Sequence, residues 1–368
     1  CFFTIYKGLC RNSFDKCRQI GYTESMKRYF YKRLVAAVLV GLLLISTGCT
    51  AVPGQIHNVK EVTPSTLSAL TPSYRQPQTV NNATNKMRHA ASADGYTPPE
   101  PEPIVPPSIS EPEQPNAPSV AARQAFVYDY SQGLLYNQGG MYDALYPASI
   151  TKLVTALVVL EHVSTDTVFT AGDEIGMVAP NSSSAYLQKG QSYTVTQLLT
   201  GMLLPSGCDA SYTLAANVGK RIDPTATTTQ AAVNAFIAEM NAWAARNGMN
   251  NSHFKNPDGY HTSGHYSCMQ DLLTLAILCM RNATVMSIVG KPSSGGWSNS
   301  NQLLYASSAN YNSACIGLKT GTTGPAGNCL LSAFSKNGKI AVIGVFGAGT
   351  SNKRYTVTNY LYQTYIKG

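Results

Sequence analysis

Ser149 and Lys152 are the residues of this 368-residue chain whose types and spacing point most directly to covalent chemistry. They stand in Pro147-Ala148-Ser149-Ile150-Thr151-Lys152, ahead of an apolar run from Leu153 to Leu160. Pro147 suits a helix entrance, and the run behind it predicts a helix over 151–162. Positions i and i+3 of a helix share a face, so the Ser149 hydroxyl and the Lys152 amine can meet. An amine on a buried apolar helix is costly to keep protonated, and a neutral amine beside a hydroxyl is a general base beside a nucleophile. Backbone N–H groups at the helix entrance would face a developing oxyanion. Alone, the pair also fits a capping serine with a snorkelling lysine.

Two later stretches give the pair company: Leu203-Leu204-Pro205-Ser206-Gly207-Cys208-Asp209 and Gly317-Leu318-Lys319-Thr320-Gly321-Thr322. An S-x-x-K, then an element like S-x-N, then K-T-G is the order of active-site elements in penicillin-recognising serine enzymes.

The elements that must hold these residues fall into two groups. Ala125–Tyr130 and Leu134–Asn137 read as a hairpin around Ser131-Gln132-Gly133. Cys315–Thr320, Cys329–Ser335 and Ile340–Phe346 read as three further strands, the last two joined through Asn337-Gly338. Between the groups lie helical stretches over 151–162, 195–204, 209–220, 229–247 and 269–280, and 353–366 reads as a final helix. Strands at both ends with helices between them imply an antiparallel sheet flanked by helical layers, an α/β (α+β) fold.

With these residues in view, the chain from about 123 to 368 resembles the D-alanyl-D-alanine carboxypeptidases, the low-molecular-mass penicillin-binding proteins. Phe254-Lys255-Asn256-Pro257-Asp258-Gly259 and Gly264-His265-Tyr266-Ser267-Cys268-Met269-Gln270-Asp271 look like that family's N-P-x-G and H-Y-S-x-x-x-D stretches. The resemblance implies the β-lactamase-like sandwich, with a five-stranded antiparallel sheet between helices. It implies Ser149 as nucleophile toward the penultimate D-alanine carbonyl, Lys152 as proton acceptor, and Ser206 as proton relay to the leaving D-alanine. Lys319 would lend positive charge, and Thr320, Gly321 and Thr322 would line the strand that receives the extended peptide. Ser149 and Thr322 N–H groups would form the oxyanion hole. The implied partners are the peptidoglycan stem pentapeptide ending in D-Ala-D-Ala, and β-lactam antibiotics as covalent inhibitors. No cofactor or metal is implied. Cys208 stands where the family usually has Asn, and a thiol is a weaker donor than an amide. His265 reads as a loop-ordering residue, Asp271 as a helix-start residue, and Trp243 and Tyr212 as core or groove lining.

The net charge of +8 is uneven. Residues 1–48 hold eight Lys/Arg against two Asp/Glu, and no basic cluster interleaved with aromatics follows, so nucleic acid is not an expected partner. Met26-Lys27-Arg28 to Arg33, followed by the apolar stretch Leu34–Ile45, reads as an export signal over 26–48, too short for a comfortable membrane span. Met26 then reads as the start, with 1–25 as an upstream extension. Gly48-Cys49 resembles a lipobox, with Cys49 the lipidated residue. Residues 49–122, rich in proline, read as a disordered tether, and the expected location is the outer face of the cytoplasmic membrane or the wall. Cys208, Cys268, Cys279, Cys315 and Cys329 show neither a disulfide framework nor zinc spacing.

Two rival functions share the motifs. A class A serine β-lactamase needs a Glu in an E-x-x-L-N context, and no such stretch lies between Ser206 and Lys319. A penicillin-sensing or wall-binding protein would acylate without turnover, a reading that rests on Cys208.

Overall fold

The structure is a computed structural model that describes residues 117–367. The stretch 26–48 read as an export signal, Cys49 and the proline-rich stretch up to residue 116 lie outside the described residues.

Strand β1 (Gln124–Asp129) pairs with β2 (Gly133–Gln138), and a 3-10 turn (Ala148–Ile150) leads into α1 (Thr151–His162). A small ribbon of β3 (Val168–Thr170) and β4 (Ser192–Thr194) precedes α2 (Val195–Leu203) and α3 (Cys208–Ile222). Then come α4 (Thr229–Arg246), α5 (Met269–Arg281) and α6 (Ala283–Val289). A second short ribbon, β5 (Ser293–Ser294) and β6 (Trp297–Ser298), leads to β7 (Cys315–Thr323), β8 (Gly327–Lys336) and β9 (Lys339–Ala348), and α7 (Ser351–Tyr365) closes the fold.

The main sheet runs β2-β1-β9-β8-β7, with every neighbour antiparallel, so the two strand groups of the sequence join where β1 pairs with β9. Both faces are covered. Along β9, Val342 and Phe346 enter a large core with α1 to α5, while Ala341, Ile343 and Val345 enter a smaller one with α7. Double coverage explains why β8 and β9 read as nearly unbroken apolar runs rather than alternating ones. At their turn, Asn337 and Gly338 both take positive φ (53° and 78°), as a tight two-residue hairpin requires.

Helix α1 is the hub of the large core. Every residue from Thr151 to Val159 is buried, so it is apolar almost all round instead of amphipathic. Thr151, Lys152 and Thr155 are its buried polar members, and all three point to the chemistry described below.

The sequence missed the two ribbons and α6, each too short to carry a periodic signal. It ended β7 at Thr320, whereas pairing with β8 continues through Thr322–Asn328 and Thr323–Gly327. Residues 117–122, read from composition as the end of the tether, pack on the domain. Ala117, Val120 and Ala122 touch the smaller core, and the Gln138 side chain exchanges hydrogen bonds with the Val120 backbone.

Leu153 is fully buried beside the Ala148–Ile150 turn, so Leu153→Ala should cost about 3 kcal/mol of stability through lost burial and a cavity. Chemical denaturation of the two proteins measures this, and a change under about 1 kcal/mol would contradict the placement of α1 at the core centre.

Candidate active site

Ser149 sits in the 3-10 turn that opens α1, one turn before Lys152. The Lys152 Nζ lies 3.0 Å from Ser149 Oγ, 2.8 Å from the Asp258 carbonyl oxygen and 3.4 Å from Cys208 Sγ. Lys152 is fully buried, so these three groups define what its amine can do. As an ammonium it donates to all three. As a neutral amine it donates to Asp258 O and Cys208 Sγ and offers its lone pair to the Ser149 proton.

The turn is held from behind by the loop Asn256–Gly259. Asn256 Oδ1 accepts from the Gly259 N–H (2.8 Å), closing the loop on itself. The Pro257 carbonyl accepts from Thr155 Oγ1 of α1 and Ser211 Oγ of α3, both at 2.6 Å, so one peptide ties the two helices together. Gly259 has φ +83°, and a Cβ there would lie 1.8 Å from Ala148 O, so the loop reaches the nucleophile turn only through glycine. Ala148 itself has φ 48°, an uncommon conformation for a residue with a side chain.

Cys208 is the first residue of α3, which brings the S-x-C element to α1 by helix packing. Burial pushes its thiol pKa up, outweighing the pull of Lys152, so Cys208 is held as a thiol. Ser206 takes φ 67° just before that helix, and its buried Oγ has no hydrogen-bond partner among the described residues. An unpartnered buried hydroxyl is the kind of group that a substrate satisfies.

The third element comes from β7, the edge strand of the sheet. A Cβ on Gly321 would sit 3.1 Å from Ser149 N and 3.0 Å from Pro147 O, so this strand lies against the nucleophile turn. Lys319 is buried and donates to the Thr320 carbonyl (3.1 Å), while Thr320 Oγ1 meets Ser300 Oγ at 2.5 Å. Burial, and then repulsion from Lys152 and Arg354, hold Lys319 well below the usual lysine range. Thr322 Oγ1 donates to Asn328 Oδ1 (3.3 Å) and accepts from Arg354 Nη1 (3.0 Å).

The structure therefore brings Ser149, Lys152, Cys208, Lys319 and Gly321 together, places Thr320 and Thr322 along the same strand, and leaves Ser206 without a direct bond to the pair. Two contributors were not foreseen from sequence. Arg354 comes from α7, far along the chain, and nothing local marks it. Asp258 supplies a backbone carbonyl, which no residue type can announce. Its carboxylate is also buried, with Oδ1 accepting from the Tyr260 N–H (3.0 Å) and Oδ2 without a hydrogen-bond partner among the described residues. His265 orders the loop as its sequence context suggested. The Lys255 N–H donates to its Nδ1 (3.2 Å), so its Nε2–H is the donor to Thr151 Oγ1 (2.9 Å).

A serine one helical turn ahead of a buried lysine, facing a sheet edge that bears K-T-G, defines an active-site serine peptidase of the penicillin-binding fold. Comparison with known proteins agrees. Residues 111–350 match the S11 peptidase family, described as D-alanyl-D-alanine carboxypeptidase. A Streptomyces D-alanyl-D-alanine carboxypeptidase is 36% identical over 221 residues, covering 55% of this chain and 72% of the relative. The enzyme DacF of Bacillus subtilis, of the same name, is 28% identical over 63% of this chain, which spans only 59% of that relative. The crystal structure of a Streptomyces DD-transpeptidase superposes with a TM-score of 0.61 at 31% identity, covering 67% of this chain and 97% of that one. A cefotaxime-bound penicillin-binding protein from Listeria monocytogenes gives 0.57 at 30% identity, covering 68% and 98%. The chain belongs to the D-alanyl-D-alanine carboxypeptidase family, serine-type peptide hydrolases.

Burial, above all, lowers the His265 pKa from 6.5 to about 4. Between those values the unfolded chain binds more protons than the folded one, so stability falls as pH drops from about 6.5 to about 4. The loss reaches on the order of 3 kcal/mol. His265→Gln should remove that part of the pH dependence. Denaturation midpoints measured from pH 7.5 to 4.5 compare the two slopes, and identical slopes would refute a neutral buried imidazole.

Proposed function

We propose that Ser149 is the acylated nucleophile of a D-Ala-D-Ala carboxypeptidase reaction, carried by one observation: the buried Lys152 amine lies 3.0 Å from its hydroxyl. Neutral Lys152 takes the Ser149 proton as Oγ bonds to the carbonyl carbon of the penultimate D-alanine. The carbonyl oxygen becomes an oxyanion between the N–H groups of Ser149 and Thr322, where each donor contributes a few kcal/mol to lowering the barrier. The C–N bond breaks as the proton passes through Ser206 Oγ to the amine of the leaving D-alanine. Lys152 then takes a proton from water as its oxygen adds to the ester carbonyl, the bond to Ser149 Oγ breaks as Lys152 returns that proton to Oγ, and the shortened stem peptide departs as a carboxylic acid.

The charges favour a substrate that ends in a carboxylate. Arg354, whose guanidinium stays protonated and donates to Thr322 Oγ1 (3.0 Å), places a fixed positive charge at the sheet edge, and an anionic terminus near Thr320 to Thr322 is drawn to it. The β7 edge supports an extended peptide adding as a further strand. Cys208 fills the position of the family's asparagine as a neutral thiol.

The same acyl-enzyme can pass its acyl group to an amine instead of water. The similarity to a Streptomyces DD-transpeptidase favours transpeptidation as a second outcome at this site.

The basic and apolar run over 26–48 supports export, and Gly48-Cys49 supports a lipid anchor on the outer face of the membrane. The proline-rich stretch supports a spacer between that anchor and the catalytic domain.

Labelled penicillin should form a covalent adduct on Ser149 and none in Ser149→Ala, which deletes only a hydroxyl. Lys152→Arg should release no D-alanine from a D-Ala-D-Ala pentapeptide, because guanidinium stays protonated. Peptide mapping of the label to Ser206 or Cys208, or turnover in the arginine variant, would overturn these roles.

Cys208→Asn should keep or raise D-alanine release, since the amide restores two donors and an acceptor, and Cys208→Ser should be mild. Complete loss of release in both folded variants would instead make Cys208 a chemical participant.

A further inference from the structure

Most polar side chains of the stretch His265 to Asp271 are occupied inside the protein. His265 holds Thr151, and Ser267 Oγ meets Ser252 Oγ at 2.8 Å. Asp271 Oδ2 accepts from the Asn251 N–H (2.8 Å) and from Ser252 Oγ (2.7 Å). Tyr266 differs: it is 39% exposed between two buried neighbours. Backbone pairing shows what it belongs to. Tyr266 exchanges two hydrogen bonds with His253 (2.9 Å each), and Ser267 exchanges two with Leu145 (2.8 and 3.0 Å). Three short segments therefore lie side by side and antiparallel, with 266–267 in the middle.

Extended segments send alternate side chains to opposite faces. Leu145 and Ser267 are buried on the inner face, where Ser267 meets Ser252. Their neighbours Tyr146 and Tyr266 therefore share the outer face with His253. The Tyr266 ring lies 6.1 Å from that of His253 at a tilt of 30°, and Tyr146 is 42% exposed. His261 meets the Tyr146 ring edge-on at 4.7 Å, and His253 Nδ1 donates to the Gly264 carbonyl (2.7 Å), so the rings are held in orientation. Lys255 and Asp143 are the exposed charged residues of 140–147 and 251–267, one of each sign. The platform adjoins the catalytic turn. Cys329, which pairs with Gly321 of the K-T-G strand, has its Sγ 4.0 Å from the Tyr146 carbonyl oxygen.

A row of exposed rings with balanced charge around it suits the apolar C–H face of a sugar, with tyrosine hydroxyls and imidazole at hand for its hydroxyl and amide groups. We infer that Tyr146, Tyr266 and His253 form a saccharide subsite, which receives the N-acetylated amino sugar that bears the stem peptide. The inference rests on the proposed carboxypeptidase reading, and reach supports it. Tyr146 is separated from Ser149 by at most about 10 Å of chain, and Tyr266 stands about 5 Å beyond it. An extended pentapeptide puts its fourth carbonyl about 13 Å from the sugar, which matches that span. The enzyme then reads glycan and peptide of one substrate together, and favours wall-borne stems over free peptides.

The test compares two substrates of the full chain: a free D-Ala-D-Ala pentapeptide, and the same pentapeptide on its N-acetylated disaccharide. Wild type should show a KM about fivefold lower for the second, with kcat unchanged. Tyr266→Ala should erase that difference by raising KM for the disaccharide-borne peptide alone. Tyr266→Trp, which keeps a ring face, should preserve it. Both variants should react with labelled penicillin at the wild-type rate, which shows that they fold. Tyr146→Ala serves as the second variant and should also erase the preference. Equal KM values for the two substrates in wild type, or a preference that survives both alanine variants, would overturn the inference. Should wild type release D-alanine from neither substrate, the carboxypeptidase reading fails, and calorimetric titration with the peptide-free disaccharide decides the subsite. Binding that is lost in Tyr266→Ala upholds it. No binding, or binding equal to that of maltose, overturns it.

Discussion

The contact between Lys152 Nζ and the Asp258 carbonyl is the constraint on which the rest of the site depends. A lysine with no solvent exposure must find partners inside the protein, and it finds a peptide oxygen, a hydroxyl and a thiol. Supplying that oxygen requires the loop Asn256–Gly259 to pass directly behind the nucleophile turn. The passage in turn demands Gly259, because Ala148 O occupies the space of any side chain. The neighbouring Pro257 carbonyl binds α1 to α3, so the peptide that completes the Lys152 environment also fixes where Cys208 sits relative to it. Helix packing and amine coordination are one structure here, not two.

Around that contact the site gathers basic side chains. Lys319 and Arg354 approach from the sheet edge and from α7, while the Asp258 carboxylate is the acid whose field reaches Cys208 and His265. Desolvation dominates at each of these groups, pressing Lys319, Cys208 and His265 alike toward their neutral forms.

Much of this was legible in the sequence, for reasons that differ by element. Helix α1 was readable to its end residues because Pro147 marks its start and its apolar run has no interruption. The β8–β9 hairpin was readable because Asn-Gly has few other uses between apolar runs. Ser149, Lys152 and Cys208 meet because i, i+3 spacing is local and because α3 begins at the motif itself. The role of Arg354 depends on how a terminal helix packs across a sheet, which residue order alone does not encode. The Asp258 carbonyl depends on a loop conformation, and ribbons of two or three residues lie below the length at which any period can be seen.

The five thiols of the described domain carry a consequence for how the chain must be made. All five are unpaired, and burial pushes Cys268 and Cys315 up to about 12 and Cys329 up to about 11. Disulfide exchange proceeds through the thiolate, so once folded these sulfurs are nearly inert to oxidants. Before folding they have no such protection. The order of events then matters more than the redox poise of the compartment: core collapse must outrun sulfur chemistry, and packing, not cross-linking, preserves the native state afterwards.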